Sequence, residues 1–171
     1  MGIKASCGIE DEFLAWSENF IKLPVRWVNP KNLHITILPP WYESDLVSAK
    51  EKLKFITSKI KPFDIFFRSI SYGPSRHKPR LIWAEAAIST QMLVLKDMIE
   101  QFFGIASDIR TTRVHITLAR FRPEDFSRFS IKNLYEKIKW NERVCSVVLF
   151  ESKLLPSGAE YDILEEVKFE L

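Results

Sequence analysis

Two short stretches of this sequence are near copies of each other, and they constrain the fold more than any other feature. Residues 33–38 read LHITIL and residues 114–119 read VHITLA, so a histidine and a threonine stand two apart among aliphatic residues in both. Side chains at positions i and i+2 of a β-strand face the same side. Each stretch therefore predicts a strand that presents an imidazole and a hydroxyl together: His34 with Thr36, and His115 with Thr117.

A single His-x-Thr motif is most often an ordinary strand with a polar face, because short motifs match by chance. Two copies, which hold two of the three histidines of the chain, favour a functional duplication. If the two strands faced each other, two imidazoles and two hydroxyls would surround one cavity. Such a set supplies an acid, a base and hydrogen-bond donors for an anion.

The composition is typical of a folded domain in a reducing compartment. The 171 residues are 46% hydrophobic and 13% aromatic, which suits one domain with a packed core. No apolar run is long enough to span a membrane, and the first residues predict no secretory signal. Cys7 and Cys145 lie far apart without metal-ligand spacing, so we expect reduced, buried thiols and a cytoplasmic protein. The net charge of +3 permits an anionic ligand but does not by itself indicate nucleic acid.

Hydrophobic periodicity divides the chain into helices and strands. Helical spacing predicts helices over about residues 10–21, 44–60 and 90–103, and a short helix around residues 131–138. Alternation of apolar and polar residues predicts strands over about residues 3–9, 26–28, 33–38, 63–72, 81–88, 113–120, 144–155 and 161–171. The basic segment 73–80 is expected to be the loop of a hairpin between the strands that flank it.

The order of these elements predicts an α+β fold with largely antiparallel strands inside and helices outside. Because the pattern nearly repeats at the spacing of the two motifs, we expect a single bilobal domain over residues 1–171. Its two mostly antiparallel sheets would be related by a pseudo-two-fold axis, with the active-site cleft between them. The chain would pass between the lobes near residues 73–80. A single ferredoxin-like sheet with additional elements is the alternative.

The paired motifs and their surroundings resemble the 2H phosphoesterase superfamily, and in particular its 2′-5′ RNA ligase-like branch of RNA 2′,3′-cyclic phosphodiesterases. Residues 26–36 look like the first motif of that branch with its lead-in, and residues 114–120 look like the second motif. Residues 79–83 are similar to its central strand. The hairpin at residues 151–161 is similar to its C-terminal hairpin.

The resemblance implies a role for each motif residue. His34 and His115 would be the acid–base pair, and Thr36 and Thr117 would hold the phosphate. The enzyme would open 2′,3′-cyclic phosphate ends of RNA or of nucleotides to 2′-phosphates, and the reverse direction would make a 2′-5′ linkage. Related enzymes of the superfamily suggest an alternative substrate, a small nucleotide such as 2′-5′ oligoadenylate or a cyclic phosphate of ADP-ribose.

The chemistry of the residues agrees with this without reference to a family. An imidazole titrates near 6.5 and can take up or give a proton at neutral pH. Cleavage of a cyclic phosphodiester needs one group of each kind, and it needs fixed donors for the oxygens that gain charge. Two histidines without a convergent carboxylate or thiolate set form a poor metal site. We therefore expect no metal and no cofactor.

Several further residues are candidates for substrate binding. Arg120 follows the second motif but would point away from Thr117 if the strand stayed regular, so its contact with phosphate is a secondary prediction. The basic loop could follow an RNA backbone, and two aromatic residues could stack on a base. His77 is expected at the surface and Trp83 in the core. The candidates are Arg120, Arg80, Arg76, Lys78, Trp41 and Phe121. We expect a monomer, and a non-catalytic RNA-binding module is the remaining alternative.

Overall fold

The computed structural model of the chain describes residues 1–75, 77–105, 113–155 and 158–170. Helices α1, α2 and α3 span Cys7–Glu18, Leu46–Thr57 and Thr90–Phe103. Within these described residues, 3-10 helices span Pro30–Asn32 and Pro123–Arg128. Strands β1 to β9 span Gly2–Lys4, Arg26–Trp27, His34–Thr36, Phe63–Gly73, Leu81–Ala86, Val114–Arg120, Tyr135–Val144, Ser146–Leu155 and Gly158–Lys168.

The strands form one antiparallel sheet, which confirms the predicted α+β class. Eight of its nine strands follow the order β7-β4-β5-β6-β3-β1-β8-β9, and β2 pairs with β6 beside this path. The expected lobes are thus two four-stranded halves of a continuous sheet. They meet where β3 pairs with β6, at Ile35 and Ile116. The His-x-Thr strands are therefore direct neighbours at the centre of the sheet.

The two halves repeat the same local order around this central pair. β1 lies beside β3 and precedes it in the chain by helix α1, while β5 lies beside β6 and precedes it by helix α3. In each half, the His-x-Thr strand follows a helix in the chain and pairs with the strand that precedes that helix. This repetition accounts for the two similar sequence motifs.

The segment 73–80, where the sequence suggests a passage between lobes, joins two neighbours of the same half. Gly73 pairs with Leu81, and the amide of Arg80 donates to the carbonyl of Gly73 at 2.8 Å, so the segment is a hairpin loop. The chain passes between the halves elsewhere. One passage runs from β3 through α2 to β4, and the other runs from β7 to β8.

The core lies on one face of the central strands. Helix α1 buries Ile9 and Phe13, and the apolar faces of α2 and α3 join the same cluster. Ile35 and Ile116 belong to it, with exposed fractions of 1% and 0%. Because side chains alternate along a strand, the motif histidines and threonines face away from the core.

Three further sequence expectations are wrong. The strand expected over residues 3–9 is only Gly2–Lys4, because α1 already begins at Cys7. The helix expected around residues 131–138 is instead a turn region followed by β7, whose residues Trp140, Glu142 and Val144 are buried against β4. Cys7 and Cys145 are free, as expected, but both are exposed rather than buried. In the described part of the chain, no helix has the length and apolar character to cross a membrane.

Candidate active site

The register of β3 and β6 places the four motif side chains in a diagonal arrangement. Ile35 lies opposite Ile116 in an antiparallel pair. The residue before one is therefore opposite the residue after the other, so His34 faces Thr117 across the pair and Thr36 faces His115. Directly opposed residues have Cβ atoms only about 5 Å apart. Both His-x-Thr pairs thus contribute to one polar patch.

Each imidazole is held by the same backbone device. His34 Nδ1 lies 2.8 Å from the carbonyl oxygen of Asn32, and His115 Nδ1 lies 2.9 Å from that of Arg113. A carbonyl oxygen only accepts, so Nδ1 carries the proton that is donated in both bonds. In the neutral rings, Nε2 is then left with a lone pair for proton transfer.

Burial and neighbouring charges shift the pKa of both histidines in the same direction. Desolvation lowers the pKa of His34 and of His115 below the ordinary 6.5, and the positive charge of Arg120 lowers both further. The charge of His115 also lowers the pKa of His34. The two imidazoles and Arg120 therefore lie within electrostatic reach of one another.

The rings beside the two histidines differ. The His34 ring packs at 4.6 Å from Tyr161 and at 5.4 Å from Phe150, measured between centroids. The His115 ring packs at 4.8 Å from Trp83. Trp83 is buried, as expected for a core residue, and its indole Nε1 donates to Ser71 Oγ at 3.1 Å. Aromatic rings thus pack against each imidazole, two beside His34 and one beside His115.

Glu85 lies opposite His115 in the pairing of β5 with β6. This carboxylate distinguishes the surroundings of His115 from those of His34. Its Oε2 accepts a hydrogen bond from Ser71 Oγ at 3.0 Å, and its Oε1 pairs with Arg113 at 3.0 Å. The negative charge of Glu85 raises the pKa of His115 and offsets part of the lowering by burial. The causes that shift the pKa of His34 include no carboxylate.

A β-bulge brings Arg120 to the cleft. Ile82 pairs with Ala119 while Trp83 pairs with Thr117, so Leu118 is an extra residue in β6. Leu118 and Ala119 are both buried, and the alternation is reset. Arg120 consequently faces the same side as Thr117, contrary to the regular strand assumed from the sequence. Bulges commonly redirect side chains next to active sites.

Two cavities flank His34. One, of about 230 Å³, is lined by His34 and Thr117 together with Arg26, Arg120 and Tyr161. The other, of about 430 Å³, is lined by His34 and Thr36 together with aromatic residues that include Trp41, Phe150 and Tyr161. One side of the site is therefore basic, and the other is largely aromatic.

The other candidates for substrate binding take different places. Arg80 and Phe121 line a third cavity, of about 540 Å³, which Arg26 and Arg120 also line. Lys78 is exposed in the loop before β5, and His77 is exposed as expected. Arg76 lies outside the described residues. These placements leave the binding roles as predictions.

Four residues of the site were missed by sequence reasoning. Arg26 pairs with Arg120 across β2 and β6, but it precedes the first motif by eight positions and belongs to a strand of only two residues. Glu85 and Phe150 lie on strands for which the sequence predicted a hairpin partner but not the second neighbouring strand, β6 for Glu85 and β1 for Phe150. Tyr161 was noted only as part of the C-terminal hairpin. No local signal marks these four, because strand pairing alone brings them to the site.

The described residues offer no obvious protein ligand set for a metal ion. Groups of three or more His, Cys, Asp or Glu side chains that could hold one are not found among them. What the site does contain is two anchored imidazoles, two hydroxyls and a guanidinium. This set can move protons and hold an anion.

Comparison with known proteins shows which family this arrangement resembles. Residues 8–83 match the family described as LigT like Phosphoesterase. The chain is 27% identical to an RNA 2′,3′-cyclic phosphodiesterase of Methanocaldococcus jannaschii over 163 residues, which are 92% of each protein. It is 23% identical to the enzyme of the same name from Aquifex aeolicus, over 85% of this chain and 82% of the relative. The chain is thus similar to the LigT-like phosphoesterases, through residues 8–83 and through these relatives.

Solved structures show the same fold as this chain. A protein of Thermus thermophilus matches with a TM-score of 0.80 at 20% identity, covering 98% of this chain and 95% of that one. LigT of E. coli in complex with 3′-AMP matches with a TM-score of 0.72 at 20% identity, covering 99% and 96%. The architecture of the whole chain is thus that of the LigT-like phosphoesterases.

Proposed function

We propose that the central cleft opens 2′,3′-cyclic phosphate ends of RNA or of nucleotides to 2′-phosphates without a metal ion. The observation that carries the proposal is the diagonal arrangement of His34, Thr36, His115 and Thr117 on two adjacent strands. Both imidazoles are anchored through Nδ1 by a carbonyl two residues earlier, so both present Nε2 for proton transfer.

The reaction needs one neutral and one protonated imidazole. The neutral ring takes a proton from water through Nε2 while the water oxygen bonds to phosphorus. The bond between phosphorus and the ribose O3′ breaks, and the protonated ring gives its proton to O3′. The products are a 2′-phosphate and a free 3′-hydroxyl, and each imidazole has exchanged its protonation state. An RNA 5′-hydroxyl in place of water would give a 2′-5′ linkage.

Fixed donors stabilise the charge that develops on the non-bridging oxygens. Each threonine lies two residues after the histidine of its own motif, on the same face of the strand. Across the strand pair, it lies opposite the histidine of the other motif. Arg120 lies beside Thr117 in the basic cavity and adds a guanidinium. Donors placed where charge develops are commonly the largest single contribution to such catalysis.

The relatives support the same reaction class. Curated proteins of similar length and 23–27% identity are named RNA 2′,3′-cyclic phosphodiesterases. Structures of E. coli LigT were determined with 3′-AMP, with ATP and with NADP+. Nucleotide binding in a cleft of the same fold is therefore consistent with the proposal. The cytoplasmic location and the monomeric state stay predictions from the sequence.

The test offers purified protein a nucleoside 2′,3′-cyclic phosphate, an RNA with a cyclic phosphate end, and 2′-5′ oligoadenylate, each with and without EDTA. We expect hydrolysis of cyclic phosphates to 2′-phosphates, unchanged by chelation. The double variant His34→Ala with His115→Ala is the inactive control, and His77→Ala is its surface-matched active control. A 3′-phosphate product, or turnover that EDTA abolishes and a divalent ion restores, would overturn the mechanism. Selective cleavage of 2′-5′ oligoadenylate would assign the small-nucleotide alternative.

A further inference from the structure

The third cavity borders the basic side of the cleft, and the proposed reaction does not take place in it. This cavity, of about 540 Å³, is lined by Arg26, Arg80, Arg120 and Arg122 together with apolar residues that include Phe121. Arg26 and Arg120 also line the cavity that contains His34 and Thr117. The arginine cavity, as we call it, therefore shares two of its arginines with the catalytic one.

The four guanidiniums are concentrated by strand pairing rather than by sequence. Arg26 pairs with Arg120 across β2 and β6, and Arg120 pairs with Leu81, the residue after Arg80. The amide of Phe121 donates to the carbonyl of Arg80 at 3.0 Å, which ties the start of β5 to the end of β6. Three separate segments thus bring their arginines to one end of the central strands.

Among the described residues, these arginines lack the carboxylate partners that three other arginines have. Arg113, Arg128 and Arg143 pair with Glu85, Asp125 and Asp64. Within the described ranges, Arg26, Arg80, Arg120 and Arg122 form no such pair. The one carboxylate among the residues that line the cavity, Asp125, pairs with Arg128 at 3.6 Å. Unpaired like charges held together repel one another, and an anionic ligand relieves that repulsion.

We infer that the arginine cavity binds the phosphate on the 5′ side of the nucleoside that carries the cyclic end. The inference rests on the proposed function of the central cleft, because it needs the cyclic phosphate between His34 and His115. A guanidinium group can form bidentate hydrogen bonds with two oxygens of one phosphate. Thr117 pairs with Trp83 and Arg120 with Leu81, so the bulge leaves Thr117 and Arg120 two strand positions apart, about 7 Å. That spacing separates the second phosphate from the reacting one.

Two sources can supply this phosphate. One is the phosphodiester that joins the terminal nucleotide to the rest of an RNA strand, and the other is the 5′-phosphate of a small nucleotide. The phenyl ring of Phe121 and the neighbouring prolines, Pro24 and Pro123, give the cavity an apolar wall against which a sugar or base can pack. Both sources share the chemistry of a second phosphate. A nucleoside 2′,3′-cyclic phosphate without a 5′-phosphate lacks it.

The experiment removes only the two arginines that do not line the catalytic cavity. The double variant Arg80→Gln with Arg122→Gln is compared with Arg68→Gln, an exposed arginine on β4 that also lacks an ion pair among the described residues. Both are assayed on cytidine 2′,3′-cyclic phosphate, on its 5′-phosphorylated form and on a five-nucleotide RNA with a cyclic end. Thermal denaturation of each variant reports folding.

We expect the double variant to keep the wild-type kcat/KM on cytidine 2′,3′-cyclic phosphate and to lose about tenfold or more on the five-nucleotide RNA, mainly through KM. For the RNA, the slope of log KM against the logarithm of the salt concentration should decrease by about 0.7 for each lost phosphate contact. A loss on the 5′-phosphorylated mononucleotide as large as on the RNA assigns the cavity to one 5′-phosphate, and a loss confined to the RNA assigns it to the strand.

An equal loss on all three substrates, or no loss on either substrate that has a second phosphate, would overturn the inference. Arg68→Gln should match the wild type throughout. If the wild-type protein turns over none of the cyclic phosphates, the proposed function fails instead. The mononucleotide arm therefore separates the two failures.

Discussion

The two halves of the central site hold their histidines in the same way but surround them differently. Both imidazoles donate from Nδ1 to a carbonyl two residues earlier in the chain. His34 then packs against Tyr161 and Phe150 from the C-terminal hairpin. His115 packs against Trp83 and lies opposite Glu85.

The comparison separates what orients a catalytic group from what sets its charge. Orientation comes from a backbone bond within each motif, so it repeats wherever the motif repeats. The pKa depends on neighbours from other strands, and these differ. Glu85 raises the pKa of His115, although Arg120 and Arg113 lower it, whereas the described charges that act on His34 are positive and lower its pKa. We therefore expect His115 to be the more basic of the two in the free enzyme.

The largest effect should come from removing either imidazole. His34→Ala and His115→Ala should each lower kcat/KM by about 10²–10⁴-fold, because each ring transfers one proton. Both rings are only part-buried and face away from the core, so the melting temperature should change little. The bell-shaped pH profile of the wild type should lose a different limb in each variant. Unchanged turnover in either variant would show that the halves are not both catalytic, and His77→Ala is the control.

A smaller loss is expected at the threonines. Thr36→Ala and Thr117→Ala should each cost less than the roughly 10²–10³-fold seen when a single oxyanion donor is removed, because the neighbouring donors still hold the phosphate. Thr→Ser at the same positions keeps the hydroxyl and should restore most of the activity. If the halves are equivalent in holding the phosphate, the two losses in kcat will be similar. If one Thr→Ala variant loses nothing, that half contributes only its histidine.

The smallest effect should come from the carboxylate that distinguishes the halves. Glu85→Gln removes a negative charge that favours the protonated form of His115, so the pKa of His115 should fall while that of His34 stays nearly constant. NMR titration of the two rings measures both values. Because burial lowers both pKa values, the wild-type maximum of kcat/KM should lie below pH 6.5, and Glu85→Gln should shift one limb further to the acid side. Glu12→Gln, at an exposed carboxylate of α1, is the control. An unchanged pKa of His115 would show that Glu85 does not set the difference.

Much of the fold follows from local pattern. The alternation in LHITIL and VHITLA predicts the central strands and the common face of each histidine and threonine, and the structure places all four on the face opposite the core. The predicted hairpins form as β4 with β5 and as β8 with β9. Side-chain alternation is a property of adjacent residues, so a strand's face can be inferred before its partner is known.

The helix predicted around residues 131–138 does not form, because its local pattern is compatible with both a helix and a strand. Leu134 and Ile138 stand four apart, which matches one turn of a helix as well as the buried side of an irregular strand. The long pairing of β7 with β4, from Phe63 opposite Val144 to Ser71 opposite Tyr135, decides between them. Tertiary hydrogen bonding and burial overrode a weak local preference.

The sequence alone thus determined that two strands each carry a histidine and a threonine on one face. The tertiary structure decided that these strands pair with Ile35 opposite Ile116, which sets each histidine across from the other motif's threonine. It also decided that the bulge at Leu118 turns Arg120 into the cleft and that Arg26 and Glu85 join from other strands. The physical reason is that register and bulges depend on hydrogen bonds between distant segments, and no pattern within one segment records them.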